Sequence, residues 1–315
     1  GGAEEHLYRR KGPSPPAKMF LRSALVVALA ASANAAAPMR LRGGAPATYA
    51  KLTEGANALT DGYSTQSKIS VTHGSDLNGD STLKSTFTRD SASKITALFD
   101  AKSTYQGVNL DAKLDGSGTI SGEASYDEII PGAKLTVSGK LDGGKAVKDM
   151  AAPKISTEYR KDNIVACASV EGSNLVASGV VEAGDFQVGA ATTYDANDGT
   201  MGDPSFAAKY KGGNFAVTAV ANGLKGDDVS ATYTQTVSDE LDVAGSFSSD
   251  GNKFSIGANY KIDGDAAVKG KINSDGILNV GYQRQLTKGA TLNAGLEVDT
   301  NNLDNRKVGV SLAVK

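Results

Sequence analysis

The amino-acid sequence predicts an all-β fold: a single transmembrane antiparallel β-barrel of about 19 strands, with a short N-terminal amphipathic helix inside the lumen. Three observations predict it. Apolar and polar residues alternate with a period of two over most of the chain, glycine-containing turn signals recur at short intervals, and only 40% of the 315 residues are hydrophobic. Strands that turn one apolar face to lipid and one polar face to water produce this composition.

The first 47 residues differ from the rest and are interpreted as a leader, cleaved or disordered, or as an extension outside the mature protein. Residues 24–31 form an apolar run that has signal-peptide length but is too short to span a bilayer. Ala33-Asn34-Ala35 has the small-x-small form of a cleavage site. The alternative interpretation is a mispredicted upstream exon, with Met19 as the true start.

An amphipathic helix is predicted over residues 48–62. Apolar residues recur there at helical spacing, and Thr48 has the residue type of an N-cap. Leu52 and Leu59 are expected to seat the helix on the barrel wall, near Leu98. The residues predicted to form the gating helix are Tyr49, Lys51, Leu52, Glu54, Leu59 and Asp61.

The barrel is predicted to occupy residues 63–315. From residue 68 to residue 314 the alternation and the turn signals leave about 13 residues for each strand and its turn. No helix fits between the strands, so consecutive strands are expected to pair as an antiparallel meander. Phe254, Ile256 and Ala258, which alternate with Lys253 and Ser255, give the clearest example.

A meander of this length is expected to close, because its free edges would otherwise aggregate. Nineteen tilted strands give a backbone diameter of roughly 38 Å, which is too wide for side chains to fill. The lumen therefore holds water, and the apolar face meets lipid.

The residue types provide no support for an enzyme, a metal site or a nucleic-acid partner. Cys167 is the single cysteine, and the two histidines, His6 and His73, are far apart in sequence. No phosphate-binding loop, dinucleotide fingerprint or nucleophile elbow occurs. The sequence therefore predicts no catalytic residue, no cofactor and no metal.

The distribution of charge predicts a weakly anion-selective lumen, although the formal net charge is −2. Sorting residues by strand face places 16 basic and seven acidic groups on the polar face, an excess of about +9, while most other acids are assigned to turns. The basic residues predicted to line the pore are Lys134, Lys209, Lys211, Lys253, Lys261, Lys269, Lys271 and Lys307.

Two stretches are similar to a known family: residues 46–52 with Asp61-Gly62-Tyr63, and residues 254–263. On these residues, the chain from 46 to 315 resembles the mitochondrial voltage-dependent anion channel, or eukaryotic porin, family. The resemblance implies a voltage-gated pore for ATP, ADP, phosphate and chloride in the mitochondrial outer membrane, with the helix in the lumen. The family's basic residue before Gly-Tyr is Asp61 here, which leaves the gating polarity open.

The resemblance also implies partners for the barrel. The C-terminal strand has the form of the insertion signal that is read by the organellar barrel-assembly machinery; its residues are Lys307, Gly309, Leu312 and Val314. The other expected partners are the lipid bilayer and anionic metabolites and nucleotides in the lumen, and homo-oligomerisation is left open.

Two alternatives remain open from the sequence. One is a soluble or secreted β-rich binding protein, which the leader favours. The other is a barrel that serves mainly as a docking platform or import pore, for which the leader permits a plastid envelope in place of the mitochondrial outer membrane.

Overall fold

The computed structural model describes residues 46–60, 63, 65–75, 81–89, 94–146, 151–226 and 228–314. The predicted leader lies outside these residues except for its last two positions, and Asp61 lies outside them as well. The helical elements are α1 (Tyr49–Leu52), α2 (Asn57–Thr60) and a 3₁₀ turn at Asp250–Asn252. No helix of the described residues is long and apolar enough to cross a membrane.

Twenty β-segments form one sheet. They are β1 (Ser67–Ser75), β2 (Ser81–Arg89), β3 (Ile95–Tyr105), β4 (Val108–Asp115), β5 (Ile120–Asp127), β6 (Ala133–Leu141), β7 (Lys154–Lys161), β8 (Ile164–Glu171), β9 (Asn174–Ala183), β10 (Phe186–Asp195), β11 (Thr200–Met201), β12 (Ser205–Lys211), β13 (Phe215–Asn222), β14 (Asp228–Thr236), β15 (Leu241–Ser248), β16 (Lys253–Lys261), β17 (Ala266–Asn273), β18 (Ile277–Thr287), β19 (Ala290–Asp299) and β20 (Asn302–Val314).

The sheet closes into the predicted 19-stranded barrel. Both β11 and β12 pair with β10, so they form one strand that is interrupted at residues 202–204. Every other pair of consecutive strands is antiparallel, but the closing pair is parallel: residues 68–71 of β1 pair with residues 311–314 of β20. The expectation of a wholly antiparallel barrel was therefore wrong at this seam. With an odd number of strands in a meander, the first and last strands run in the same direction.

Tight turns determine how far the strands extend. β3 continues to Tyr105 because Gln106 and Gly107 form a two-residue turn with φ values of 50° and 80°. Positive φ at both central positions is the type I′ arrangement, which matches the twist of the strands that it joins. The pairing therefore extends up to the turn itself.

The N-terminal helix is not continuous as predicted, because α1 and α2 are separated by residues 53–56. The predicted cap is confirmed, since the Thr48 hydroxyl accepts a hydrogen bond from the Lys51 nitrogen at 3.4 Å. α1 ends where the Thr53 hydroxyl donates to the Tyr49 carbonyl at 3.0 Å. Gly55 follows, and glycine has low helix propensity. These local effects divide the predicted helix into two single turns.

The wall has one apolar and one polar face. On β16, the side chains of Phe254, Ile256 and Tyr260 are 50%, 60% and 49% exposed on the outer face. Strand partners share a face, so the antiparallel registers extend this assignment around the barrel. A continuous outer surface of large exposed apolar side chains fits lipid as its solvent and does not fit the soluble alternative.

Candidate functional site

The candidate site is the lumen, where the N-terminal segment (residues 46–60) crosses the inner face of the wall. The segment begins at β7, where the Arg160 guanidinium donates to the Pro46 carbonyl at 3.1 Å. α1 then lies on β9, β10 and β12. Leu52 is fully buried there against Val180 and Ala207. The predicted seating of the helix near Leu98 was therefore wrong, since Leu98 belongs to β3.

A chain of polar side chains attaches α1 to the wall. The Tyr49 and Ser205 hydroxyls share a hydrogen bond of 2.5 Å. Ser205 donates to the Asn222 amide oxygen at 2.7 Å, and the Asn222 amide nitrogen donates to Asp228 at 2.7 Å. The chain crosses β12, β13 and β14 and ends on a carboxylate, so α1 is positioned by hydrogen bonds as well as by apolar contacts.

α2 packs on β15, β16 and β17 through small residues. Ala58 and Leu59 are buried there in one cluster with Ala244. A Cβ atom at Gly257 would lie 2.7 Å from the Ala58 carbonyl oxygen and 2.8 Å from the Leu59 side chain. The close approach of α2 to the wall therefore requires glycine at position 257, a requirement that the alternation pattern alone does not reveal.

Lys271 and Tyr63 hold the end of α2. The Lys271 ammonium donates to the Leu59 carbonyl at 2.8 Å and lies 5.0 Å from the centroid of the Tyr63 ring. The Tyr63 hydroxyl donates to the Ala58 carbonyl at 2.5 Å. Burial raises the pKa of Tyr63 to about 12. A cation at a helix C-terminus stabilises carbonyl groups that lack partners within the helix.

Several basic residues of the wall are neutralised by neighbouring carboxylates. Asp111 accepts from both Lys102 and Lys113, at 3.2 and 3.5 Å. Lys134 pairs with Asp127 at 3.2 Å. Arg160 likewise pairs with Glu158, and Lys307 with Glu297 across β19 and β20 at 2.7 Å. Two of the predicted pore-lining lysines, Lys134 and Lys307, are therefore members of ion pairs.

The wall formed by β12, β16 and β17 is different. Among the described residues, no carboxylate lies within 4.0 Å of an amine of five predicted lysines; these are Lys209, Lys211, Lys253, Lys261 and Lys271. Lys261 donates instead to the Asp239 carbonyl at 2.9 Å. Lys269 shares this face, in register with Asn259.

A cavity of about 840 Å³ lies beside the N-terminal segment where it meets this wall. Its lining includes Ala58 of the segment and four charged residues of the wall, which are Lys211, Lys261, Lys269 and Asp242, so three ammonium groups face one carboxylate. Positive charge thus borders the space beside α2.

The excess of positive charge inside the barrel is smaller than the predicted +9. The registers place further carboxylates on the inner face at strand ends, next to inward residues such as Lys134 and Lys154. They are Asp115, Asp127, Glu171, Asp195, Asp228 and Asp299. Strand-end positions keep the alternation of the strand, so acids at the rims also contribute to the inner field.

The residues of the predicted insertion signal lie on both faces of β20. Leu312 and Val314 point outward and pair with Ile69 and Val71 at the parallel seam. Gly309 points inward, and a Cβ atom there would lie 2.6 Å from the Gln66 nitrogen. Gly309 therefore permits the chain to pass over β20 before it enters β1, a structural requirement that is independent of any signal.

Comparison with known proteins agrees with this geometry. The family model described as eukaryotic porin matches residues 45–309. The voltage-dependent anion-selective channel of Drosophila melanogaster is 29% identical over 220 residues, which cover 66% of this chain and 76% of that protein. The mitochondrial outer membrane protein porin of 34 kDa from Solanum tuberosum is 26% identical over 220 residues, which cover 67% of this chain and 77% of that protein.

A human relative is named as a non-selective channel. The non-selective voltage-gated ion channel VDAC2 of Homo sapiens is 25% identical over 235 residues, which cover 70% of this chain and 78% of that protein. Among solved structures, a porin mutant of Rh. blastica aligns with a TM-score of 0.43 at 12% identity; the alignment covers 77% of this chain and 94% of that chain. That likeness is too distant to add to the assignment.

Proposed function

The chain belongs to the eukaryotic porin family, and on that premise we propose that it is a voltage-gated, weakly anion-selective diffusion pore for small metabolites and ions such as ATP, ADP, phosphate and chloride. Solutes move down their gradients through the water-filled barrel, and no chemical step occurs. The N-terminal segment narrows one side of the lumen and is the element that responds to voltage.

The observation that carries the proposed selectivity is the unpaired basic wall beside α2. An ion pair presents little net charge to a passing solute, whereas an unpaired ammonium attracts anions within about a Debye length of 8 Å. Lys209, Lys211 and Lys253 have no carboxylate partner among the described residues, whereas other inward lysines are paired; these include Lys102, Lys134 and Lys307. Anions are therefore expected to pass preferentially along this side.

A reversal potential in a salt gradient tests this proposal. We expect the purified chain in a planar bilayer to favour chloride over potassium, and the double variant K211E/K261E to shift the preference toward cations. The matched control is K161E/K288E, which makes the same change in net charge outside the lumen, since Lys161 lies on the outer face and Lys288 in a turn. Equal shifts in both variants would contradict the assigned role of the wall.

We propose the mitochondrial outer membrane as the location, supported by the name of the Solanum tuberosum relative, a mitochondrial outer membrane porin. Fractionation of cells that express the full sequence tests it. Recovery in the plastid envelope would contradict the proposed location. It would not bear on the proposed pore activity, which conductance measurements test separately.

A further inference from the structure

On the outer face of the described strands, charged side chains are few. Apart from the irregular start of β20, the described strands place four charged residues outward: Arg89, Lys161, Arg284 and Arg306. A charge facing lipid is tolerated near the headgroups and is costly near the bilayer centre. These four positions are therefore expected to lie at the headgroup level.

A belt of outward tyrosines indicates the depth at which Arg284 lies in the bilayer. We call the edge where β20 ends the distal rim and the opposite edge the proximal rim. Six outward tyrosines lie within the last four residues of strands that run to the distal rim; they are Tyr105, Tyr126, Tyr159, Tyr210, Tyr233 and Tyr260. Tyr282 joins this belt, because it is in register with Tyr260 through Val268.

The proximal rim has a different aromatic composition. Its outward aromatic residues near strand ends are mainly phenylalanines, namely Phe87, Phe206, Phe247 and Phe254, with Tyr194. Tyrosine places an apolar ring and a hydroxyl at the boundary between acyl chains and headgroups, and phenylalanine has no hydroxyl. The distal rim is thus equipped to hydrogen-bond headgroups, and the proximal rim is less so.

Arg284 lies at the level of this tyrosine belt. It pairs in register with Ala266, the first residue of β17 at the distal rim, and Tyr282 lies two residues before it on the same outer face. No carboxylate of the described residues forms an ion pair with it. In the adjacent turn, Asp263 accepts from the Asp265 nitrogen at 2.8 Å.

We propose that Arg284 and Tyr282 form a binding site on the outer wall for the phosphate of an anionic phospholipid. A guanidinium offers paired donors that match phosphate oxygens, and a phenol on the same face of the strand offers one more donor. At the distal rim the abundant anion at this depth is the lipid phosphate. Lys161 follows Tyr159 on the outer face at the same spacing and rim, which repeats the arrangement.

The chain has no tryptophan, so one introduced tryptophan reports on its own lipid neighbours. Leu292 faces outward and pairs with Arg284, which makes L292W the reporter. L110W is the control reporter, because Leu110 faces outward near the same rim on β4, where neither β3 nor β5 has an outward charge. Full-length protein is reconstituted in vesicles of phosphatidylcholine and phosphatidylglycerol, in which one lipid or the other is brominated.

We expect brominated phosphatidylglycerol to associate near L292W about fivefold more strongly than brominated phosphatidylcholine. The ratio of association of phosphatidylglycerol to phosphatidylcholine should fall to about one in L292W/R284Q. It should decrease in L292W/Y282F, and L110W should show no preference. Conductance of each variant verifies the fold and is independent of the quenching result. R284K, which keeps the charge, serves if R284Q does not fold, and should retain part of the preference.

Three results would overturn the proposal. They are equal quenching by the two lipids at L292W, a preference that survives R284Q, and an equal preference at L110W, which would indicate a general surface potential. Millimolar glycerol 3-phosphate in the buffer distinguishes the sources of phosphate. We expect glycerol 3-phosphate to leave the preference for phosphatidylglycerol unchanged. Loss of the preference in its presence would contradict a site for membrane lipid.

Discussion

The Lys271 ammonium lies 2.8 Å from the Leu59 carbonyl oxygen, and the two residues are 212 positions apart in the chain. This contact joins the last turn of the N-terminal segment to β17. Tyr63 contributes from the other side through its ring and its hydroxyl. Lys271 therefore positions the segment, and its charge is not available to solutes in the way predicted for a simple wall lysine.

Replacing Lys271 by methionine should loosen α2 while keeping the length of the side chain. Loss of a charge-assisted hydrogen bond and a cation–π contact is expected to cost about 1–2 kcal/mol of docking energy. Hydrogen exchange of the amides in residues 57–60 should accelerate about tenfold, and the pore should close at lower voltage. K253M is the control, because Lys253 lies on the same inner face outside the N-terminal segment. Unchanged exchange in K271M would show that the contact is unimportant.

Local patterns predicted the strands of the wall and their faces well, because the alternation within each strand depends only on its own residues. On β16 the alternation of Phe254 and Ile256 with polar residues was sufficient to assign the strand, its two faces and the solvent that each face meets. Contacts between residues far apart in the chain have no such local pattern. The position of Lys271 in the alternation predicted that its side chain points inward. Its hydrogen bond to the Leu59 carbonyl depends on where α2 is docked. The pairing of Lys307 with Glu297 likewise depends on register across β19 and β20.

Substitution of Gly257 should displace α2 without damaging the barrel. In G257A the new methyl group would lie 2.7 Å from the Ala58 carbonyl oxygen, so the segment must move away from β16. We expect weaker protection of residues 57–60 and a larger single-channel conductance, with the same β content by circular dichroism. The matched control is G270A on β17, where a Cβ atom meets nothing within 4 Å. Similar effects of both variants would contradict the role given to Gly257.

Tyr63 links docking of the segment to alkaline pH. Its pKa is raised to about 12 by burial, whereas an exposed phenol titrates near 10. The docked state therefore favours the neutral phenol: its stabilisation is complete below about pH 10 and is lost as the pH rises toward 12. The difference in tyrosinate absorbance between the native chain and Y63F should show one phenol that ionises near pH 12. Ionisation near pH 10 would contradict burial of Tyr63.

Asp111 should limit the anion preference of the lumen, because its carboxylate neutralises two lysines. The Asp111 oxygen lies 3.2 Å from Lys102 and 3.5 Å from Lys113. D111N keeps the shape of the side chain but removes its charge, which leaves two neighbouring ammonium groups facing the water. We expect the ratio of chloride to potassium permeability to rise by roughly a third, since the added field is screened beyond about 8 Å.

The reversal potential of D111N in a potassium chloride gradient measures this change. D263N is the control: it removes the same charge from the turn between β16 and β17, outside the strands that line the lumen. A shift toward cations in D111N would contradict the inward placement of Asp111, and an equal shift in D263N would show that net charge, and not position on the wall, sets the selectivity. A shift confined to D111N would mean that ion pairing on the β3–β5 side suppresses anion attraction there, so that selectivity arises mainly from the opposite wall beside α2.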